Sequence, residues 1–177
     1  MLNSIANIIG TMQRRCGVIA CALAVCFTLP GSAQQVSRAY CGKDGKAHIA
    51  YRNNSEEAVD PVVRQIGCEH LTIAADGTTV GWSVLTENCC TSYPIPTSII
   101  VYRKRKQAVI SPGQMIWDWR FVDNGARIAV LSGPVHGEAA GAALYDPHNA
   151  RLLDEWRGKG VPPDWATGWQ DKFQEQP

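Results

Sequence analysis

Two stretches hold residue types that could do chemistry: the adjacent cysteines Cys89-Cys90 in NCCTSYPIP, and His136 with Glu138 in SGPVHGE, Ser132–Glu138. A cysteine becomes a nucleophile or redox group when a nearby cation, a helix N-terminus or a C-x-x-C partner lowers its pKa. Cys89-Cys90 has no basic neighbour in sequence and no such spacing, so the pair reads as structural disulfide material rather than a redox site. His136 and Glu138 have the chemistry of an acid, a base or metal ligands. The glycines around them equally suit a long hairpin loop whose polar groups are solvated. His136 with Asp146 and His148 is a second metal-type set. However, Asp146-Pro147-His148-Asn149 has type I turn composition, and no two ligands stand at i, i+2 or in H-E-x-x-H. No metal site and no cofactor are indicated. G-x-S-x-G is absent, so no serine nucleophile elbow is expected. The acid pairs Glu56-Glu57 and Asp154-Glu155 would point to opposite faces of a strand, which rules out a shared catalytic site.

The elements around these residues read as strands. Before NCCTSYPIP come a short strand Leu71–Ala74, the turn Ala75-Asp76-Gly77, and Thr78–Leu85, alternating through Val80, Trp82 and Val84. After it come Ser98–Arg103 and Ala108–Ile110, closed by Ser111-Pro112-Gly113. The chain then repeats itself. Met115–Val122 carries Trp117, Trp119 and Phe121 on one face, and Asp123-Asn124-Gly125 turns into Ala126–Leu131. Ala142–Tyr145 and Leu152–Trp156 follow. Asp76-Gly77 and Asn124-Gly125 are offset by 48 residues, as are Ile73 and Phe121, whereas Tyr102 and Tyr145 are offset by 43. The five-residue excess of the first copy lies in its cysteine-bearing loop, the counterpart of the His136 loop in the second. If the copies pack with their repeats parallel, the two loops share one surface. Tyr93, Pro94, His136 and Glu138 are therefore the expected ligand-binding residues.

A repeat of 40-odd residues with four strands and a D/N-G turn between the first two has the signature of a β-propeller blade. The pattern resembles the blades of TolB-like and WD40-like propellers. ADGTTVGW, NCCTSYPIP and FVDNGARIAVLSGPVHG resemble more closely a group of small exported bacterial proteins of unassigned function, over about Cys68–Arg157, roughly half the chain. The resemblance implies an all-β fold and export; it carries no activity. Two blades cannot close a propeller. The expected architecture is all-β: two four-stranded antiparallel meanders, 68–113 and 114–157, packed face to face as a sandwich. Assembly of several chains into a ring is the rival arrangement, and a monomer is preferred to it.

The flanks complete the organisation. Residues 1–33 read as a signal peptide: Arg14-Arg15, then the 14 apolar residues Cys16–Leu29, then Pro30 and small residues before a cut after Ala33. A helix of that length spans about 21 Å, short of the hydrocarbon core, so the membrane is met only through this segment before cleavage. Periplasmic or secreted localisation follows. Cleavage leaves 15 basic against 16 acidic residues. A near-neutral chain has no field for nucleic acid, and the run Arg103–Lys106 reads as a solvated turn. It also leaves Cys41, Cys68, Cys89 and Cys90, an even number that favours disulfides in an oxidising compartment. Adjacent cysteines rarely bond each other, so Cys89 and Cys90 are expected to pair outward with Cys41 and Cys68, in an order left open. Residues 34–67 read as an extended lead-in: a frayed start at Gln34–Ala39, a strand Ala47–Tyr51, and Glu56–Gly67 as either an irregular arm or one edge strand. In the tail, 158–177, Trp165, Trp169 and Phe173 recur every four residues, predicting one short helix whose aromatic face covers a sheet edge or open end. The expected function is a non-catalytic binding or interaction module for a protein or small-molecule ligand. A hydrolase or metal-dependent enzyme using His136 and Glu138, and a structural or inhibitory envelope protein, are the alternatives.

Overall fold

A strand with apolar residues at both odd and even positions must be covered on both faces. The chain meets that demand by stacking sheets. The computed structural model describes residues 34–173; the expected signal segment 1–33, with Cys16, Cys21, Cys26 and the cut after Ala33, lies outside the described residues. The first sheet contains β1 (Val36–Cys41), β2 (Ala47–Tyr51) and β3 (Glu56–Ala58). The second contains β4 (Gly67–Ile73), β5 (Val80–Thr86), β6 (Ile95–Arg103) and β7 (Lys106–Ile110). The third contains β8 (Met115–Val122), β9 (Arg127–Gly133), β10 (Gly141–Tyr145) and β11 (Leu152–Trp156). Each is an antiparallel meander in sequence order, and none closes into a barrel.

Alternation sorts the core into three layers. Val80, Trp82 and Val84 of β5 and Ile100 and Tyr102 of β6 face the first sheet, packing on Val36, Ala47, Ile49 and Val59. Ile99, Val101 and Ile110 face the other way, onto Ile116, Trp119, Ile128 and Val130 of the third sheet. The far face of the third sheet, with Ala129, Leu131, Ala142 and Leu144, is covered by Trp165, Ala166 and Trp169 of the tail. Trp119 fixes the contact between the two four-stranded sheets. Its Nε1 donates to Ser83 Oγ at 2.9 Å, and its ring lies over Gly81, where a Cβ would stand 2.6 Å from it. Glycine is therefore required at that position for close approach.

The repeat keeps its faces. Cys68, Leu71 and Ile73 of β4 point toward the preceding sheet, as do Ile116, Trp119 and Phe121, each 48 positions later. Both opening strands carry a one-residue bulge: Glu69–Thr72 opposes Ser83–Gly81, and Ile116–Asp118 opposes Ser132–Leu131.

Three expectations need correction. Trp117 does not share a face with Trp119 and Phe121: within the Ile116–Asp118 bulge it packs with the tail-side cluster, while they face the second sheet. The lead-in is not a frayed arm. Residues 36–58 form the three strands of the first sheet, tied to the second where Val36 N donates to Gly77 O at 2.8 Å. The tail is not one helix. It makes two 3₁₀ turns, Asp164–Ala166 and Gln170–Lys172, because Thr167 is extended (φ −56°, ψ 136°) and Gly168 takes φ +91°. The aromatic residues still reach one surface. Trp165 Nε1 donates to Asp154 Oδ2 at 3.1 Å, Trp169 Nε1 to Asp118 Oδ2 at 2.8 Å, and Phe173 meets Trp156 edge-on. Arg120 binds the Trp165 and Thr167 carbonyls and lies over the Trp169 ring.

Candidate functional site

The meander order puts the expected loops at one end of the stack. β4, β6, β8 and β10 run in one direction, because the short link between β7 and β8 reverses the chain. The β5–β6 loop, with Cys89, Cys90, Tyr93 and Pro94, and the β9–β10 loop, with His136 and Glu138, therefore emerge together. The turn at Asp44-Gly45 joins them: Gln65 Nε2 donates to Gly45 O at 2.9 Å, and Ile66 N to Leu85 O at 3.0 Å. Tyr93, Pro94, His136 and Glu138 are all exposed. They share an end of the molecule, and among the described residues no hydrogen bond or ion pair joins the two loops. The first loop folds on itself, Asn88 Nδ2 to Thr91 Oγ1 at 3.3 Å and Thr91 Oγ1 to Tyr93 O at 2.6 Å. Trp117 Nε1 anchors the second through Pro134 O at 3.1 Å. The His136 and Glu138 side chains form no hydrogen bond or ion pair with another described residue. Asp146 and His148 sit at the opposite end, in the β10–β11 turn, where Asp146 Oδ1 accepts from His148 N at 2.8 Å. Among the described residues no three His, Cys, Asp or Glu side chains converge as a metal site.

The cysteines pair differently from expectation. Cys41 at the end of β1 bonds Cys68 at the start of β4, with 5.6 Å between Cα atoms, and staples the first sheet to the second. Cys89 and Cys90 are free and exposed. The reason is positional: β1 and β4 pack side by side, whereas the adjacent pair hangs in a loop beyond the end of β5. A hydrogen bond to the Cys89 sulfur, and then its charge, hold the Cys90 thiol above its usual pKa. Cys89 lines an open depression of about 510 Å³ with Arg64, Ile66, Glu87 and Asn88. The bordering segments expose three large apolar side chains, Val63 (90%), Ile66 (46%) and Tyr93 (56%).

One polar cluster escaped the sequence reasoning. On the outer face of the first sheet the Tyr40 hydroxyl donates to Glu56 Oε1 at 2.6 Å. His48 places Nδ1 3.3 Å from Glu56 Oε1 and Nε2 3.2 Å from Asp44. Tyr40 stacks on His48 with 5.1 Å between centroids, and the Arg38 guanidinium lies 4.5 Å over Tyr40. The Tyr40 hydrogen bond holds Glu56 below the usual carboxylate range and raises Tyr40; the Lys46 backbone N–H does most to lower Asp44. Both ring nitrogens and the hydroxyl are committed within the cluster, so it forms a hydrogen-bonded facing and presents no free base or nucleophile. The available signal was the alternation Arg38-x-Tyr40 with His48-x-Ala50, which marks one polar face once β1 and β2 are recognised as a pair.

No protein-family model and no curated protein matches the chain.

Proposed function

We propose that the chain is an exported, non-catalytic binding module that engages a protein partner through the loop end of its sheet stack. One observation carries this reading. Ile66 stands exposed on the wall of the depression beyond the ends of β4 and β5, and Val63 and Tyr93 are exposed on the chain segments that supply that wall. Large apolar side chains left exposed beside a hollow, an aromatic among them, suit a docking surface. Export is supported by the Cys41–Cys68 bond, and no helix among the described residues is long and apolar enough to cross a membrane. The unit is taken as a monomer: the tail covers one terminal face of the stack and the Arg38–Tyr40–His48 cluster makes the other polar, so neither offers an apolar face for ring closure. The hydrolase alternative has no supporting geometry, since His136 and Glu138 meet no further chemical group. An inhibitory envelope protein would use the same loop surface and counts as one form of the binding reading.

The test begins with affinity capture from an envelope extract and continues with the captured protein purified. Ile66→Ser/Tyr93→Ser should abolish its binding, while Val109→Ser, an exposed apolar position on β7, should not. Equal binding by all three chains would sink the assignment.

A further inference from the structure

Cys89 and Cys90 are the two cysteines that the described chain leaves unbonded, and their possible partners Cys41 and Cys68 are spent on each other. A bond between the adjacent pair is geometrically poor. Consecutive Cα atoms stand about 3.8 Å apart, below the roughly 4.4–6.8 Å that disulfides span. The pair therefore rests as a dithiol, and both residues are exposed on the β5–β6 loop. A bridging atom larger than a direct sulfur–sulfur bond relieves the ring.

We propose that Cys89 and Cys90 form a two-sulfur binding site for a soft monovalent cation, copper(I). Thiolates select such ions over hard cations. The number of donors sharpens the choice. No third His, Cys, Asp or Glu joins the pair among the described residues, so the four ligands of structural zinc are missing, whereas a closed-shell monovalent ion accepts two sulfurs. Two thiolates and one copper(I) leave a net charge of −1. Arg64, on the wall of the same depression as Cys89, is placed to offset it; Glu87 on that wall opposes it in part. Binding forms two copper–sulfur bonds in place of two S–H bonds and releases both thiol protons to solvent, with no electron transferred and no oxidant required.

This site lies on the same loop end as the protein-binding surface but does not depend on it. The experiment uses the purified full chain. A thiol assay on the folded protein should find two reactive sulfurs, and finding none would overturn the proposal at once. An anaerobic titration against a chromophoric copper(I) chelator should then show one equivalent of copper withdrawn. Cys89→Ser and Cys90→Ser should each lose that equivalent while keeping the circular dichroism of the parent. Undiminished competition by Cys89→Ser/Cys90→Ser would place the copper elsewhere and refute the site. Ile66→Ser/Tyr93→Ser should still take up copper, so loss of partner binding and loss of copper binding separate the two readings.

Discussion

Replacing Cys41 and Cys68 together by serine removes the covalent link between the first and second sheets. The two residues are 27 apart in sequence. Closing a loop of that length restricts the unfolded chain by about 3.5 kcal/mol at 25 °C on the chain-entropy relation. A domain of this size melts with an entropy of about 0.3 kcal/mol/K, so the loss corresponds to a fall in Tm of roughly 12 °C. Cys68 is buried, at 7% exposure, and its hydroxyl replacement adds to the cost rather than reducing it. Cys89→Ser/Cys90→Ser opens no loop and uncovers no core, so its stability should stay within about 0.5 kcal/mol of the parent. Thermal and urea unfolding of the two double variants in one buffer, with a non-reducing peptide map of the parent chain, makes the comparison. Refutation would come from a map joining Cys89 or Cys90 to Cys41 or Cys68. A loss of some 12 °C in the loop variant, with none in the staple variant, would refute it equally.

Two further outcomes follow from the packing and the titrating groups. Gly81→Val drives side-chain atoms into the Trp119 ring and should cost about 1–3 kcal/mol, read by urea unfolding; an unchanged midpoint would mean the sheets do not meet there. Tyr51 and Tyr102 both donate to Glu57, Tyr102 at 2.8 Å. Burial and then the Glu57 hydrogen bond push Tyr102 up to about 12 and Tyr51 higher still. A folded pKa above the unfolded one, near 10, contributes in full below about pH 10 and fades as pH rises through the folded value. Unfolding free energy should therefore fall between about pH 10 and 12, and Tyr51→Phe/Tyr102→Phe should flatten that limb. Equal alkaline slopes in both chains would remove Glu57 from the account.

The eight strands of the second and third sheets were legible because their apolar runs are separated by turn residues, Asp76-Gly77 and Asn124-Gly125 marking the first turn of each sheet. Of the first sheet only β2, Ala47–Tyr51, was legible, for a physical reason. Its outer face is polar and its third strand has only three residues, so Arg38, Tyr40, His48 and Glu56 read as lead-in instead of one side of a sheet. That misreading also hid the Tyr40–His48–Glu56 cluster, which exists only once β1, β2 and β3 are paired. The tail shows the limit of spacing arguments. Trp165 and Trp169 are buried as a helical face would require, yet Thr167 and Gly168 reach that result through two broken turns. Cysteine parity was equally silent on pairing. An even count fits either arrangement, and only the side-by-side course of β1 and β4 selects Cys41–Cys68.

The repeat separates what must be kept from what is free to vary. Between the copies, residues 48 apart in the first two strands and 43 apart in the third keep the same inward face: Val80 and Ile128, Ile99 and Ala142, Val101 and Leu144. A shift of one residue in any of these would turn the whole set of side chains to the wrong face, so the strands carry a register constraint along their length. The five-residue difference falls between the second and third strands, where the first hairpin extends its ladder through Leu85, Thr86, Ile95 and Pro96, so that loop 87–94 is only slightly longer than loop 134–140. Insertions there cost little, since closure entropy grows only slowly with loop length. The two counterpart loops have accordingly diverged in chemistry, one to adjacent thiols with Tyr93, the other to glycines with His136 and Glu138, while the strands beneath them kept one pattern. On the proposed reading the stacked sheets supply stability and the loop end supplies recognition. The functional test therefore belongs on Cys89, Cys90, Ile66 and Tyr93 before any residue of the strands.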